Sequence, residues 1–125
     1  MRLLVCGDRN WSDREFLYQA LDAIHAERPV SQVIEGMARG ADVMAADWAI
    51  SRGIPVIGFR AQWDLYRKAA GPIRNQQMID VGRPDAAIAF HDRIAASRGT
   101  RDMVIRARKA GIVLIGILGH FPELA

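Results

Sequence analysis

Short apolar runs alternate along this chain with segments whose apolar residues recur at helical spacing. The apolar runs lie at residues 3–6, 32–35, 54–59, 85–90 and 112–118. Each is short, and all but the run at 32–35 are largely apolar, as expected for strands that are buried on both faces. Such strands, separated by helices, are typical of a parallel sheet with helices packed on both sides. The pattern predicts an α/β fold, a Rossmann-like three-layer arrangement of about five parallel strands, formed by one domain over residues 1–125.

Local signals set the expected helix boundaries. Ser12-Asp13-Arg14-Glu15 has the pattern of a capping box, with Ser12 as the capping residue. Gly53 suits the end of the second helix, and Pro72 suits the first turn of a new one. The helices are predicted from Ser12 to Pro29, from residues 40–42 to Gly53, over 63–70, from Pro72 to about Val81, and over 99–110.

Glycines and arginines gather where strands end and helices begin. In a doubly wound sheet, ligands bind outside the carboxyl ends of the strands, where the strand order reverses. That rule brings together four loops, at residues 7–11, 36–40, 71–75 and 91–100. Unpaired N–H groups at a helix start favour anions, and an arginine nearby adds a bidentate donor. Arg39, Arg74 and Arg98 lie near these turns, so the sequence predicts a site for a phosphorylated small ligand.

Each candidate residue also has a structural interpretation. Trp11 either stacks on a base or covers the core, and Asp42 either caps the second helix or orients Arg39. Arg74 at a helix start opposes the helix dipole, so it needs a compensating anion or carboxylate. The hydroxyls of Ser97 and Thr100 either bind phosphate or supply one N-cap. The predicted ligand-binding residues are Gly7, Asp8, Arg9, Trp11, Gly36, Arg39, Gly40, Asp42, Arg74, Asn75, Ser97, Arg98, Gly99 and Thr100.

Composition narrows the function further. The net charge is only +3, without a cluster of basic residues, so a nucleic-acid partner is possible but disfavoured. The single cysteine, Cys6, indicates a reducing, cytoplasmic setting, and no apolar run is long enough for a membrane span. The chain lacks a G-x-G-x-x-G fingerprint, a Walker A sequence and metal-ligand spacing, so neither a cofactor nor a metal is predicted. His91 has no evident partner in the sequence.

Several segments together resemble the SLOG superfamily, in particular its small YspA/YpsA-related branch. The matching segments are Cys6-Gly7-Asp8-Arg9, Gly36-Met37-Ala38-Arg39-Gly40-Ala41-Asp42, Ala70-Gly71-Pro72-Ile73-Arg74-Asn75 and Arg98-Gly99-Thr100-Arg101-Asp102-Met103-Val104. The resemblance covers nearly the whole chain. It implies a Rossmann-like fold and a nucleotide or nucleotide-sugar ligand that is sensed or processed.

Two related groups imply alternative functions. Arg74-Asn75-Gln76-Gln77-Met78 resembles the Arg-Lys-x-x-Met stretch of the Lonely Guy phosphoribohydrolases. That resemblance implies hydrolysis of a nucleoside 5′-monophosphate, with Arg74 assisting and Asp102, next to Met103, as the candidate base. The chain departs from that group's Pro-Gly-Gly-x-Gly-Thr-x-x-Glu stretch, because Met103 occupies the glutamate position.

The 36–42 segment is similar to one in DNA-processing protein A, a binder of single-stranded DNA. The residues after Gly119 either contact a second copy of the chain or fray. Nucleotide binding is the favoured function.

Overall fold

A computed structural model describes residues 1–120 of the chain, and it contains one five-stranded parallel sheet. The strands are β1 (Arg2–Gly7), β2 (Gln32–Glu35), β3 (Val56–Gly58), β4 (Ala86–Phe90) and β5 (Val113–Leu118). Their order across the sheet is β3-β2-β1-β4-β5. The predicted α/β fold is therefore confirmed, with the strand order reversing between the neighbours β1 and β4.

Five α-helices in the described part of the chain connect the strands. They are α1 (Arg14–Glu27), α2 (Ala41–Ser51), α3 (Trp63–Tyr66), α4 (Ala70–Asp80) and α5 (Gly99–Lys109), with short 3-10 turns at Arg67–Ala69 and Ile94–Ala96. Among residues 1–120, no helix combines the length and apolar character needed to cross a membrane.

The apolar residues form one core on each face of the sheet, which is the expected three-layer arrangement. Because successive side chains of a strand point to opposite faces, Leu3 and Val5 of β1 join the core beneath α1 and α2. Leu4 and Cys6 join the core beneath α4 and α5. Cys6 is thus a small core residue, and it is 6% exposed.

Several boundaries differ from the predictions, and α4 begins at Ala70, two residues before its predicted start. Asp13 caps α1 instead of Ser12, because its carboxylate accepts a hydrogen bond from the backbone N–H of Phe16. The third strand begins at Val56, after Pro55, which has no N–H to donate to the sheet. The segment at 63–70 is broken at Arg67, whose φ of +54° ends α3. Pro72 lies in the first turn of α4, as predicted.

The remaining expectation about the chain end cannot be placed. Residues 121–125 of the apolar tail lie outside the described residues.

Candidate functional site

A cleft of about 630 Å³ opens at the carboxyl ends of β1 and β4, where the strand order reverses. It is the location expected for a ligand in a doubly wound sheet. Most of the predicted site residues line it: Gly7, Asp8, Arg9, Arg39, Asp42, Arg74, Asn75, Ser97, Arg98, Gly99 and Thr100. The fold thus brings together residues from four loops that are far apart in the chain.

Gly7 and Gly40 allow two backbone segments beneath the cleft to pack closely. A Cβ atom on Gly7 would lie 2.4 Å from the carbonyl oxygen of Phe90 and 2.6 Å from Cβ of Ala41. Gly40 has a φ of +79°, and a Cβ there would lie 2.3 Å from the carbonyl oxygen of Asp8. That oxygen accepts a 3.1 Å hydrogen bond from the N–H of Ala41. These glycines therefore fix the loop after β1 against the start of α2.

Asp42 stabilises the loop after β2, a role that neither sequence alternative described. It does not cap α2, whose N-cap residue is Gly40. Its Oδ2 accepts a 3.3 Å hydrogen bond from the N–H of Ala38, four residues earlier, and the N–H of Gly36 bonds to it as well. The carboxyl group is 6% exposed, and this burial raises the pKa of Asp42 to about 7.

Arg74 is buried beside Asp42 and holds the same loop. Its Nη1 donates to the carbonyl oxygen of Gly36, and its Nε donates to Oδ1 of Asn75 at 3.0 Å. Burial lowers the pKa of Arg74, and the nearby carboxyl groups of Asp42 and Glu35 oppose that effect. The sequence placed Arg74 at a helix start, which is wrong, because α4 begins at Ala70 and Arg74 lies beyond its first turn. The carboxyl group of Asp42 acts on Arg74 through its charge. A Cβ on Gly36 would lie 2.8 Å from Nη1, so a larger residue there would displace the guanidinium group of Arg74.

The N-terminus of α5 forms another wall of the cleft. The Oγ of Ser97 accepts a 3.1 Å hydrogen bond from the N–H of Thr100, so Ser97 supplies the capping interaction. Around Gly99 there is open space, because a Cβ built there meets no atom within 4 Å. Arg98 is exposed beside it. A ligand could therefore approach the backbone of the first turn closely.

Asp102 is engaged in structural contacts. Its Oδ2 accepts hydrogen bonds from Nδ2 of Asn75 at 2.9 Å and from Nε of Arg106 at 2.8 Å. Met103, at the position where the phosphoribohydrolases have glutamate, is 1% exposed. This arrangement ties α4 to α5.

His91 and Asp8 form a pair that the sequence analysis missed. Nε2 of His91 lies 3.9 Å from Oδ2 of Asp8, and both residues line the cleft. Nδ1 of His91 accepts a 2.8 Å hydrogen bond from the N–H of Arg93, so a neutral imidazole carries its proton on Nε2, facing the carboxylate. The signal was available, since each residue directly follows one of two adjacent strands whose last residues, Gly7 and Phe90, are in register.

Trp11 lies in the core outside the cleft. It is 4% exposed, packs against Phe16 and Phe90, and stacks on His120 with ring centroids 4.8 Å apart. Its indole N–H donates to the carbonyl oxygen of Asp13. Of the two predicted roles, this geometry favours covering the core, because stacking on a base needs an exposed ring face and Trp11 is buried.

The rim of the cleft is basic. Arg9, Arg39, Lys68 and Arg98 are exposed, and each comes from a different one of the four segments that follow β1, β2, β3 and β4. Nη2 of Arg39 donates to Oδ1 of Asn10 at 3.3 Å, which links the loops after β1 and β2. Such a rim attracts anions and supplies bidentate donors to phosphate.

Comparison with known proteins agrees with this architecture. The chain resembles DNA processing protein A (DprA) from Streptococcus pneumoniae, with a TM-score of 0.73 at 19% sequence identity. The match covers 98% of this chain and 52% of that one, so the chain spans about half the length of that protein. This likeness concerns the fold.

Sequence comparison identifies the family. The chain is 38% identical to the Gene 61 protein of Mycobacterium phage D29, over 91% of this chain and 94% of that protein. Residues 1–66, which include β1, β2 and the Gly36–Asp42 segment, match YAcAr, the YspA, cpYpsA-related SLOG family. The chain therefore belongs to the YAcAr family of SLOG proteins.

Proposed function

We propose that this protein binds a nucleotide or a nucleotide-derived ligand in the cleft at the carboxyl ends of β1 and β4. One observation carries the proposal: exposed arginines from separate loops border the cleft into which the open first turn of α5 faces. The helix start offers backbone N–H groups, and the arginines offer paired donors. Membership of the SLOG family supports a role connected with nucleotides or nucleic acids.

The residues have distinct roles in this proposal. Arg9, Arg39 and Arg98 bind phosphate oxygens, together with the backbone N–H of Gly99 and the hydroxyl of Thr100. Arg74 adds positive charge to the cleft floor but uses Nη1 and Nε to hold Gly36 and Asn75, so it mainly positions the loop. Asp8 is the proposed acceptor for ribose hydroxyls. Asn75 is buried and already bonded to Arg74 and Asp102, so in this proposal it positions the cleft wall.

Binding is favoured over N-glycosidic cleavage by the state of Asp102. A general base must be able to reach the reacting group, whereas the carboxylate of Asp102 already accepts from Asn75 and Arg106. The neighbouring Met103 provides no carboxyl group. The proposed protein therefore holds its ligand intact.

Thermal-shift and calorimetric titrations with adenosine, AMP and ADP test this proposal. We expect AMP and ADP to raise the melting temperature and adenosine to raise it much less, because the phosphate contacts dominate. Arg39→Gln and Arg98→Gln should each weaken AMP binding by about tenfold, the loss expected for a charge-assisted hydrogen-bond pair. Arg101→Gln is the matched control, because Arg101 is exposed on the same helix but lines no part of the cleft.

Two results would contradict the proposal. Release of free base from AMP, abolished in Arg74→Ala, would establish a hydrolase instead. No nucleotide binding, together with tight and salt-sensitive binding of a single-stranded oligonucleotide, would establish a nucleic-acid function.

A further inference from the structure

A second cavity adjoins the cleft on the side of β3. Its volume is about 600 Å³, and it shares five lining residues with the cleft, which we call the shared wall: Arg9, Ala38, Arg39, Trp63 and Arg74. Each cavity alone is within the range of about 300–1,000 Å³ that small-molecule sites occupy. A mononucleotide bound in the cleft would therefore leave the second cavity unfilled.

The shared wall is suited to a bound anionic group that extends from one cavity into the other. Three of its five residues are arginines, and Arg9 and Arg39 are exposed. Guanidinium groups bind phosphate through paired hydrogen bonds. Among the side chains that line the second cavity, Arg60 adds a further positive charge and Asp64 is the one carboxylate. The positive charge is thus concentrated where the two spaces meet.

The second cavity also offers surfaces for a flat aromatic group. Trp63 is 46% exposed, and the guanidinium carbon of Arg9 lies 5.4 Å from its ring centroid. Met37 is 44% exposed and covers Gly58, where a Cβ would lie 2.7 Å from Cγ of the methionine. Indole rings and thioethers both make favourable contacts with aromatic rings.

The backbone at Met37 is strained in a way that places its side chain in this cavity. Its φ is +58°, a conformation that costs a non-glycine residue about 1 kcal/mol or more and that is concentrated at functional sites. The carboxylate of Glu35 accepts a hydrogen bond from the N–H of Met37 and stabilises this conformation.

From these observations we infer that the ligand has two nucleoside units joined through phosphate. The phosphate bridge lies along the shared wall, one unit fills the cleft, and the base of the other lies against Trp63 and Met37. This inference rests on the proposed nucleotide-binding function and specifies its ligand class.

Isothermal titration calorimetry with AMP, ADP-ribose and diadenosine 5′,5′-diphosphate tests the inference. We expect the diadenosine compound to bind about tenfold or more tightly than AMP, the gain that one stacked base supplies. ADP-ribose, which has the second sugar without the second base, should be intermediate. Arg60→Gln and Met37→Ala should reduce that gain and leave AMP affinity unchanged, because both residues line only the second cavity. Arg101→Gln again serves as the control.

The outcomes separate this inference from the proposed function. If AMP binds and the diadenosine compound binds no more tightly, the two-unit ligand is wrong and the nucleotide site stands. Equal affinities for ADP-ribose and the diadenosine compound would overturn the base platform on Trp63 and Met37. If none of the three compounds binds, both proposals fail.

Discussion

Gly40→Ala should be among the most damaging single-methyl additions in this protein. The new Cβ would lie 2.3 Å from the carbonyl oxygen of Asp8 and 2.6 Å from the backbone of Arg9. Both neighbours are backbone atoms, so they can move only if the loop after β1 separates from α2. The backbone of Gly40, at φ +79° and ψ −125°, is also one that L-residues rarely adopt. Strain of about 1–3 kcal/mol and loss of the Ala41–Asp8 hydrogen bond, worth about 1 kcal/mol, give a total of about 2–4 kcal/mol.

Urea denaturation measures this loss as a lower free energy of unfolding, and Gly53→Ala is the matched control. Gly53 has a similar φ of +70°, but a Cβ there meets no atom within 4 Å. Its substitution should therefore cost only the conformational term of about 1 kcal/mol. Equal losses in the two variants would refute the argument that Gly40 is required by the contact between the two loops.

Three further substitutions test other parts of the structure. The raised pKa of Asp42 means that the folded state binds its proton more tightly than the unfolded state, so this group makes stability fall as pH rises from 3.8 to about 7. Asp42→Asn should remove that fall in the free energy of unfolding, which is at most about 4 kcal/mol. Identical pH profiles of urea denaturation for the unmodified protein and the variant would show the reasoning to be wrong. Trp11→Phe should cost about 1–2 kcal/mol, because the bond to the carbonyl of Asp13 is lost. It should leave AMP affinity unchanged, and a large loss of affinity in the folded variant would instead place Trp11 in the site. Gly99→Ala should stabilise α5 by up to about 1 kcal/mol yet weaken AMP binding measured by calorimetry, whereas unaltered binding would exclude close approach of the ligand to this turn.

The sequence predicted the fold well because its strands are buried on both faces. Residues such as Ile34 and Ile88 are wholly buried. Short apolar runs of this kind are typical of buried strands, so the pattern alone predicts the sheet. The strand boundaries were less certain where one residue changes the hydrogen bonding, as Pro55 does before β3.

The sequence predicted which loops form the site. It did not predict the contacts between the side chains of those loops. Glycine turns after buried strands located the residues at positions 7, 36 and 99, since the carboxyl ends of parallel strands meet at one edge. The partner of Arg74 could not be predicted, because Asp42 approaches it through a loop conformation that depends on Gly36. The capping pattern of the sequence did not distinguish Ser12 from its neighbour Asp13, whose carboxylate accepts from the N–H of Phe16.

The most direct test of nucleotide binding in the cleft is an NMR titration of the ¹⁵N-labelled protein with AMP. The largest amide shifts should occur at the carboxyl ends of the strands and at the start of α5, in particular at Asp8, Ala38, Gly99 and Thr100. The amide shifts at the amino ends of the strands, such as those of Gln32 and Val113, should remain unchanged. Shifts confined to the amino ends of the strands, or no shifts at saturating AMP, would contradict the proposed site.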